Sequence, residues 1–289
     1  MEGTIEQQPQ QTSKPKPSIF SNKKVLYGAI VVIILIVVAA LVLTGGRGSG
    51  SASQLTQFDG KAVSQAVLSQ LAIPGNVSST IRAGFATNFP TKVSAPPLSI
   101  NGKPEILYIG AEYCPFCAVH RWALVIALMR FGTFTGLNYM TSSATDSYPN
   151  TPTFTFANSA YSSPYISFVS RELTTNLFNS SIGGYPTLQQ LNASQQAIFS
   201  KFNSGGSIPF TDYANESIQV GSNFADPTVL DNMNWSEIAN LLQNPSSTQA
   251  QALVGSANLM TAQICKIDNN TPQSVCGQSY ISSIESQLS

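Results

Sequence analysis

The stretch that most limits what this chain can become is Glu105-Ile-Leu-Tyr-Ile-Gly-Ala-Glu-Tyr-Cys114-Pro-Phe-Cys117-Ala-Val-His-Arg-Trp122. The apolar run Ile106 to Ile109 reads as a buried strand. A few turn residues lead into Cys114-Pro115-Phe116-Cys117, and from Pro115 to Arg130 nearly every residue is a competent helix former. Strand, turn, CxxC and helix in that order place a thiol at a helix N-terminus. Proline at the first helical position costs nothing, because its missing N–H would be unpaired there. The free amides and the helix dipole favour an anion, so a Cys114 thiolate is stabilised. Cys117, one turn further in, can close a disulfide with it.

This stretch resembles the active site of the thioredoxin superfamily, and Cys-Pro-Phe-Cys is nearest to the glutaredoxin type. The wider context, Leu107 to Trp122, resembles a family of membrane-anchored thioredoxin-like proteins from thermoacidophilic archaea, over roughly residues 55 to 289. The resemblance implies an α/β, thioredoxin-like fold with Cys114 and Cys117 as the catalytic pair. It also implies that a proline before a short strand lies beside the CxxC; Ile208-Pro209, ahead of Phe210, matches that place. Ile208, Pro209 and Phe116 are then the expected substrate-binding residues.

The rest of the chain frames that core. Residues 1–24 read as a polar cytoplasmic tail. Val25 to Leu43 is an uncharged apolar run long enough to cross a bilayer core of about 30 Å, so a single transmembrane helix is expected at 25–44; the alternative is a cleaved signal peptide, whose apolar region is usually shorter. Four lysines precede it and Arg47 follows, which orients the N-terminus inward and the rest outward as a cell-membrane protein. A Gly/Ser linker at 45–54 leads to an extracytoplasmic domain at 55–289, with a core at about 98–245 and a helical hairpin at about 246–289.

Within the domain, Leu55 to Leu71 has helical spacing. Asn101-Gly102 marks a turn into the strand, and Leu137 to Thr141 is the expected second parallel strand. Thr153 to Phe156 and Tyr165 to Val169 alternate as half-exposed strands and suggest an inserted β-hairpin or lid near the site, with Tyr161, Tyr165 and Phe168 as candidate lining. Leu188 to Phe202 reads as a helix. Asn234-Trp-Ser-Glu237 reads as a helix start, and Ser247–Ile267 and Gln273–Leu288 as two more helices. Cys265 and Cys276 near their facing ends suggest a structural disulfide.

Charged residues are 10% of the chain and formal net charge is zero, which removes any case for nucleic-acid binding. Four cysteines in two pairs suit an oxidising compartment. A CxxC by itself is also compatible with zinc, but zinc needs about four ligands and His120 is the chain's one histidine. No metal or cofactor is expected. His120 and Glu112 are candidates for tuning the thiol, or plain structural residues, and Arg121 carries the same ambiguity. The function expected is thiol–disulfide exchange on protein thiols or disulfides, with an extracytoplasmic or membrane redox partner. The competing class is a non-enzymatic module that binds a partner or a soft metal.

Overall fold

The computed structural model describes residues 54–288. Its centre is β3 (Lys103–Gly110), entered from β2 (Ser99–Ile100) through Asn101 and Gly102. Those two residues have φ of 52° and 77°, the left-handed pair that a two-residue hairpin turn requires. β3 pairs in parallel with β8 (Ser167–Glu172) and antiparallel with β9 (Phe210–Tyr213). Beyond β9 lie β10 (Ser217–Val220) and a short β1 (Thr91–Lys92), both antiparallel. The sheet is therefore mixed.

Strand periodicity sends alternate β3 residues to opposite faces. Leu107 and Ile109 pack with Phe199, Phe210 and Ile218 on one face, where α4 (Ala193–Phe202) lies. Ile106 and Tyr108 face the larger core with Val119 and Trp122 of α3 (Pro115–Leu128). Burying one such side chain contributes about 1.5–3 kcal/mol, so a strand apolar on both faces is held in the centre of the molecule.

Two expectations about the middle of the chain are corrected. Leu137–Thr141 does not join the central sheet. β5 (Asn138–Thr141) pairs antiparallel with β6 (Pro152–Thr155), inside an outer ladder of β4 (Thr133–Thr135) with β7 (Ala160–Ser162). The parallel partner of β3 is β8, drawn from a segment expected to form a lid. The nested strands are no lid either: β6 is wholly buried. Trp122 donates its indole N–H to Pro152 O at 2.8 Å, and Trp235 donates to Thr153 O at 2.5 Å. Tyr161 meets Phe134 at a tilt, Phe168 meets Phe134 and Phe156 edge-on, and Tyr165 packs on the same core.

Helices complete the larger core. Ser64 caps α1 (Gln65–Leu71) by accepting from Val67 N–H at 3.3 Å. The helix expected from Leu55 is thus shorter, because Val63 N–H is taken by Leu137 O. α2 (Gly75–Ile81) follows. α4 likewise starts later than expected, at the Asn192 capping box, because Leu188 and Gln189 N–H pair with Leu173 and Glu172 carbonyls. A 3-10 turn (Pro227–Leu230) leads to α5 (Trp235–Leu241), which opens with the Asn234/Glu237 capping box. A π-helical turn (Ala250–Val254) runs into α6 (Gly255–Ile267). The last expected helix is broken into α7 (Gln273–Cys276) and α8 (Ser279–Glu285) by Gly277 and Gln278.

The fold class is corrected accordingly to mixed α/β around a mixed sheet. Among the described residues no helix is long and apolar enough to cross a membrane. The apolar helix α3 has 14 residues, about 21 Å at 1.5 Å per residue, against about 30 Å of hydrocarbon. The span expected at 25–44, the tail and residues 45–53 of the linker lie outside the described residues.

Candidate active site

β3 ends at Gly110, and four residues later the chain turns into α3. Cys114 occupies the cap position of that helix, with Pro115 in its first turn. Its sulfur accepts the N–H of Cys117 at 3.1 Å, the place an Asp or Ser side chain takes in an ordinary cap. Cys114 and Cys117 are not bonded to each other. Cys114 is 5% exposed and Cys117 fully buried.

The two thiols are electrostatically unequal. A hydrogen bond from the Cys117 thiol holds Cys114 below the ordinary thiol range, helped by the Cys117 N–H and the charge of Arg121, against the effect of burial. Cys117 is pushed well up by burial, by its hydrogen bond to Cys114 and by the Cys114 charge. Cys114 is thus the sulfur that gives up its proton more readily, and Cys117 the one that holds it.

Ile208 lies opposite. The Ile208–Pro209 peptide is cis, and the Cys114 thiol reaches the Ile208 carbonyl at 4.0 Å. A backbone edge and a thiol therefore border the same space, though they are 94 residues apart in sequence. Phe116 is half-buried and meets Tyr148 edge-on, with ring centroids 5.7 Å apart. On the other side Tyr113 stacks flat on Tyr185 at 4.3 Å, and Tyr185 meets Phe178. Burial and the neighbouring thiols push Tyr113 up to about 12.

The candidate tuning residues lie near the turn but make their hydrogen bonds to groups other than the sulfurs. His120 Nε2 shares a hydrogen bond of 2.9 Å with Thr211, and its ring stacks on Tyr108. Burial and the Arg121 charge push it down to about 3, so it offers no positive charge to a thiolate at neutral pH. Glu112 accepts from Thr155 Oγ1 at 2.6 Å, and burial raises its carboxyl. Cys265 and Cys276 are bonded to each other between α6 and α7, with Cα atoms 5.5 Å apart. Among the described residues no group of three or more His, Cys, Asp or Glu is placed to hold a metal ion.

Two features were not singled out in the sequence. The first is the buried ion pair of Arg121 with Glu172, two hydrogen bonds of 2.8 Å each. The second is the loop at 174–187, pinned to the site by Glu112 N–H donating to Thr174 O at 3.0 Å. Its tip exposes Leu177 (71%), Phe178 (48%) and Ile182 (63%). The apolar residues at 177, 178 and 182, with no charge between 173 and 200, were the available signal for it.

The family described as Domain of unknown function (DUF929) matches residues 89–266, which hold the whole central sheet and both cysteines of the CxxC. The chain belongs to that family. The family match ends one residue after Cys265 and so leaves Cys276 beyond it. No curated protein and no solved structure matches the chain.

Proposed function

We propose that this chain is a thiol–disulfide oxidoreductase of the kind found in the thioredoxin superfamily, acting on protein thiols or disulfides through Cys114 and Cys117. The observation that carries the reading is the capping geometry. A thiol that accepts a helix-start N–H at 3.1 Å and borders the Ile208 carbonyl is stabilised as a thiolate where a substrate backbone can run alongside. β3, flanked by a parallel and an antiparallel strand, delivers the CxxC turn from the centre of the mixed sheet.

The exchange runs in two steps. Cys114 thiolate attacks one sulfur of a substrate disulfide; that S–S bond breaks, a mixed disulfide forms, and the first substrate thiolate leaves and takes up a proton. Cys114 is now neutral, so two of the three causes that hold the Cys117 proton are gone. Cys117 loses its proton and attacks Cys114 Sγ, which closes the Cys114–Cys117 disulfide and expels the second thiolate. The protein has lost two electrons and the substrate has gained two. Oxidation of a substrate dithiol is the reverse.

The Cys265–Cys276 bridge supports a site of action outside the cytosol, where disulfides persist. The exposed tip residues Leu177, Phe178 and Ile182 offer an apolar polypeptide a surface on the loop whose Tyr185 stacks on Tyr113, the residue before Cys114.

The 5% exposure of Cys114 favours a second reading, a non-enzymatic binding module whose thiols are shielded. Insulin reduction and scrambled-ribonuclease refolding with the wild type and Cys114→Ser separate the two. Turnover that disappears in the variant supports the oxidoreductase. No turnover by wild type, with Cys114 resisting alkylation until the fold is opened, supports the module.

A further inference from the structure

Below the CxxC turn lies a charge pair that the exchange steps do not use. Arg121 follows Cys117 by four residues, so both side chains lie on one face of α3. Its side chain is wholly buried. Nη2 donates to Ala111 O at 2.5 Å, and the same carbonyl accepts the N–H of Cys114 at 3.3 Å. Arg121 is therefore tied to the base of the turn that carries the reactive sulfur. Glu172, the last residue of β8, takes Nε and Nη2 in a forked pair. Nη1 is buried and has no hydrogen-bond partner.

The pair is expensive to build. Desolvating two charges offsets most of their attraction, so a buried ion pair is weak evidence of a stabilising role. An unused guanidinium N–H in the interior adds to that cost. Its position beside two thiols gives the pair a use: in a low-dielectric interior a fixed charge acts strongly on a nearby sulfur. Other ionisable groups face the same region. Tyr108 comes from β3, and its buried hydroxyl has no partner. Glu112 comes from the turn before Cys114. His120 neighbours Arg121 on α3 and is neutral near pH 7. Arg121 is the one cation among these that remains.

We propose that Arg121 and Glu172 set the redox poise of the Cys114–Cys117 couple: Arg121 is a positioning residue whose charge favours the reduced, thiolate form, and Glu172 orients that charge and attenuates it. The proposal rests on the thiol–disulfide reading above. Arg121 is among the groups that favour the charged form of both sulfurs, whereas burial works against a charge on either. A couple whose reduced form is stabilised is the stronger oxidant, so the two partners push the potential in opposite directions.

That opposition supplies the test. Thiolate formation is followed by absorbance at 240 nm against pH, and the dithiol–disulfide equilibrium is read in glutathione buffers, for wild type, Glu172→Gln and Arg121→Met. Glu172→Gln keeps a hydrogen-bond acceptor and releases the guanidinium charge. Its Cys114 titration should fall by about one pH unit and the equilibrium move about tenfold toward the dithiol. Arg121→Met should move both the other way. Should Arg121→Met not fold, Arg121→Met/Glu172→Leu removes both charges, and its titration should lie above that of wild type. A merely structural pair would lower thermal stability in these variants and leave titration and equilibrium where they were, which overturns the proposal. Shifts in the same direction for both single variants overturn it too. If the wild type does not exchange with glutathione at all, the oxidoreductase reading fails first, and this one with it.

Discussion

Arg121 and Glu172 meet through two hydrogen bonds of 2.8 Å, with both side chains sealed from solvent. Removing one partner strands the other. Glu172→Leu alone should cost about 3–5 kcal/mol, because it leaves an uncompensated buried charge. Arg121→Met/Glu172→Leu should recover most of that loss, because two well-packed apolar side chains replace a pair that barely breaks even. Urea unfolding of the three proteins measures this. A double variant as unstable as the single one would show that the ion pair itself stabilises the fold.

The four cysteines should divide by reactivity. Graded dithiothreitol, thiol alkylation and peptide mapping should label Cys114 first, since it carries the lowered thiol and the only exposure of its pair. Cys117 should follow later, and Cys265 and Cys276 only near unfolding conditions, since both are buried. Early reduction of the second pair, with turnover lost when it is removed, would make it an electron relay.

Cys265→Ala/Cys276→Ala should lower stability by about 2–4 kcal/mol, the usual contribution of a bridge closing a short loop. The bridge spans a sequence separation of 11. Exchange measured below the melting point should be unchanged, because neither residue belongs to the CxxC turn. Thermal unfolding paired with an insulin assay tests both halves.

Burial raises the Asp212 carboxyl to about 6 in the folded chain, whereas an unfolded Asp titrates near 3.9. The folded form therefore holds the proton more tightly. The stability this contributes is complete below about pH 4 and is lost as pH rises through about 6. Asp212→Asn keeps an acceptor for the Asn215 N–H and never carries the charge. Its melting temperature should exceed that of wild type at pH 7, and the difference should vanish toward pH 4. His120 runs the other way, since its folded value of about 3 costs stability as pH falls below about 6.5. It does so in both proteins and cancels from the comparison. A difference that is constant with pH would refute the assignment.

At the 174–187 loop, Leu177→Ser/Ile182→Ser replaces side chains that are 71% and 63% exposed, so stability should stay within about 0.5 kcal/mol. The KM for a disulfide peptide flanked by apolar residues should rise several-fold. Turnover of a small disulfide such as hydroxyethyl disulfide should not change. Equal effects on both substrates would remove the loop from substrate binding.

The local parts of the site could be read from sequence because local chemistry decides them. Cys114-Pro115 at a helix start, the Asn101-Gly102 turn and the Asn234/Glu237 capping box are each set by a handful of adjacent residues. Partner choice is not local. Leu137–Thr141 and Ser167–Glu172 both look like strands, and no spacing rule says which one lies beside β3. Position in the sheet explains the misleading pattern of β8. It is hydrogen-bonded to one neighbour, β3, and most of its residues are only half-buried, as in an exposed hairpin. Arg121 was visible as a residue, but its partner lies 51 positions away. Helical spacing alone cannot tell a buried arginine from a solvated one.

Both tryptophans of the chain, Trp122 and Trp235, are almost wholly buried and donate to consecutive carbonyls of the same strand, β6. The tryptophan fluorescence of the molecule therefore comes from one spot, and Trp122 lies on the helix that Cys114 caps and that contains Cys117. Emission should be blue-shifted in the folded chain and move red in a single step as β6 is released. The same light should register the opening and closing of the CxxC without any added dye.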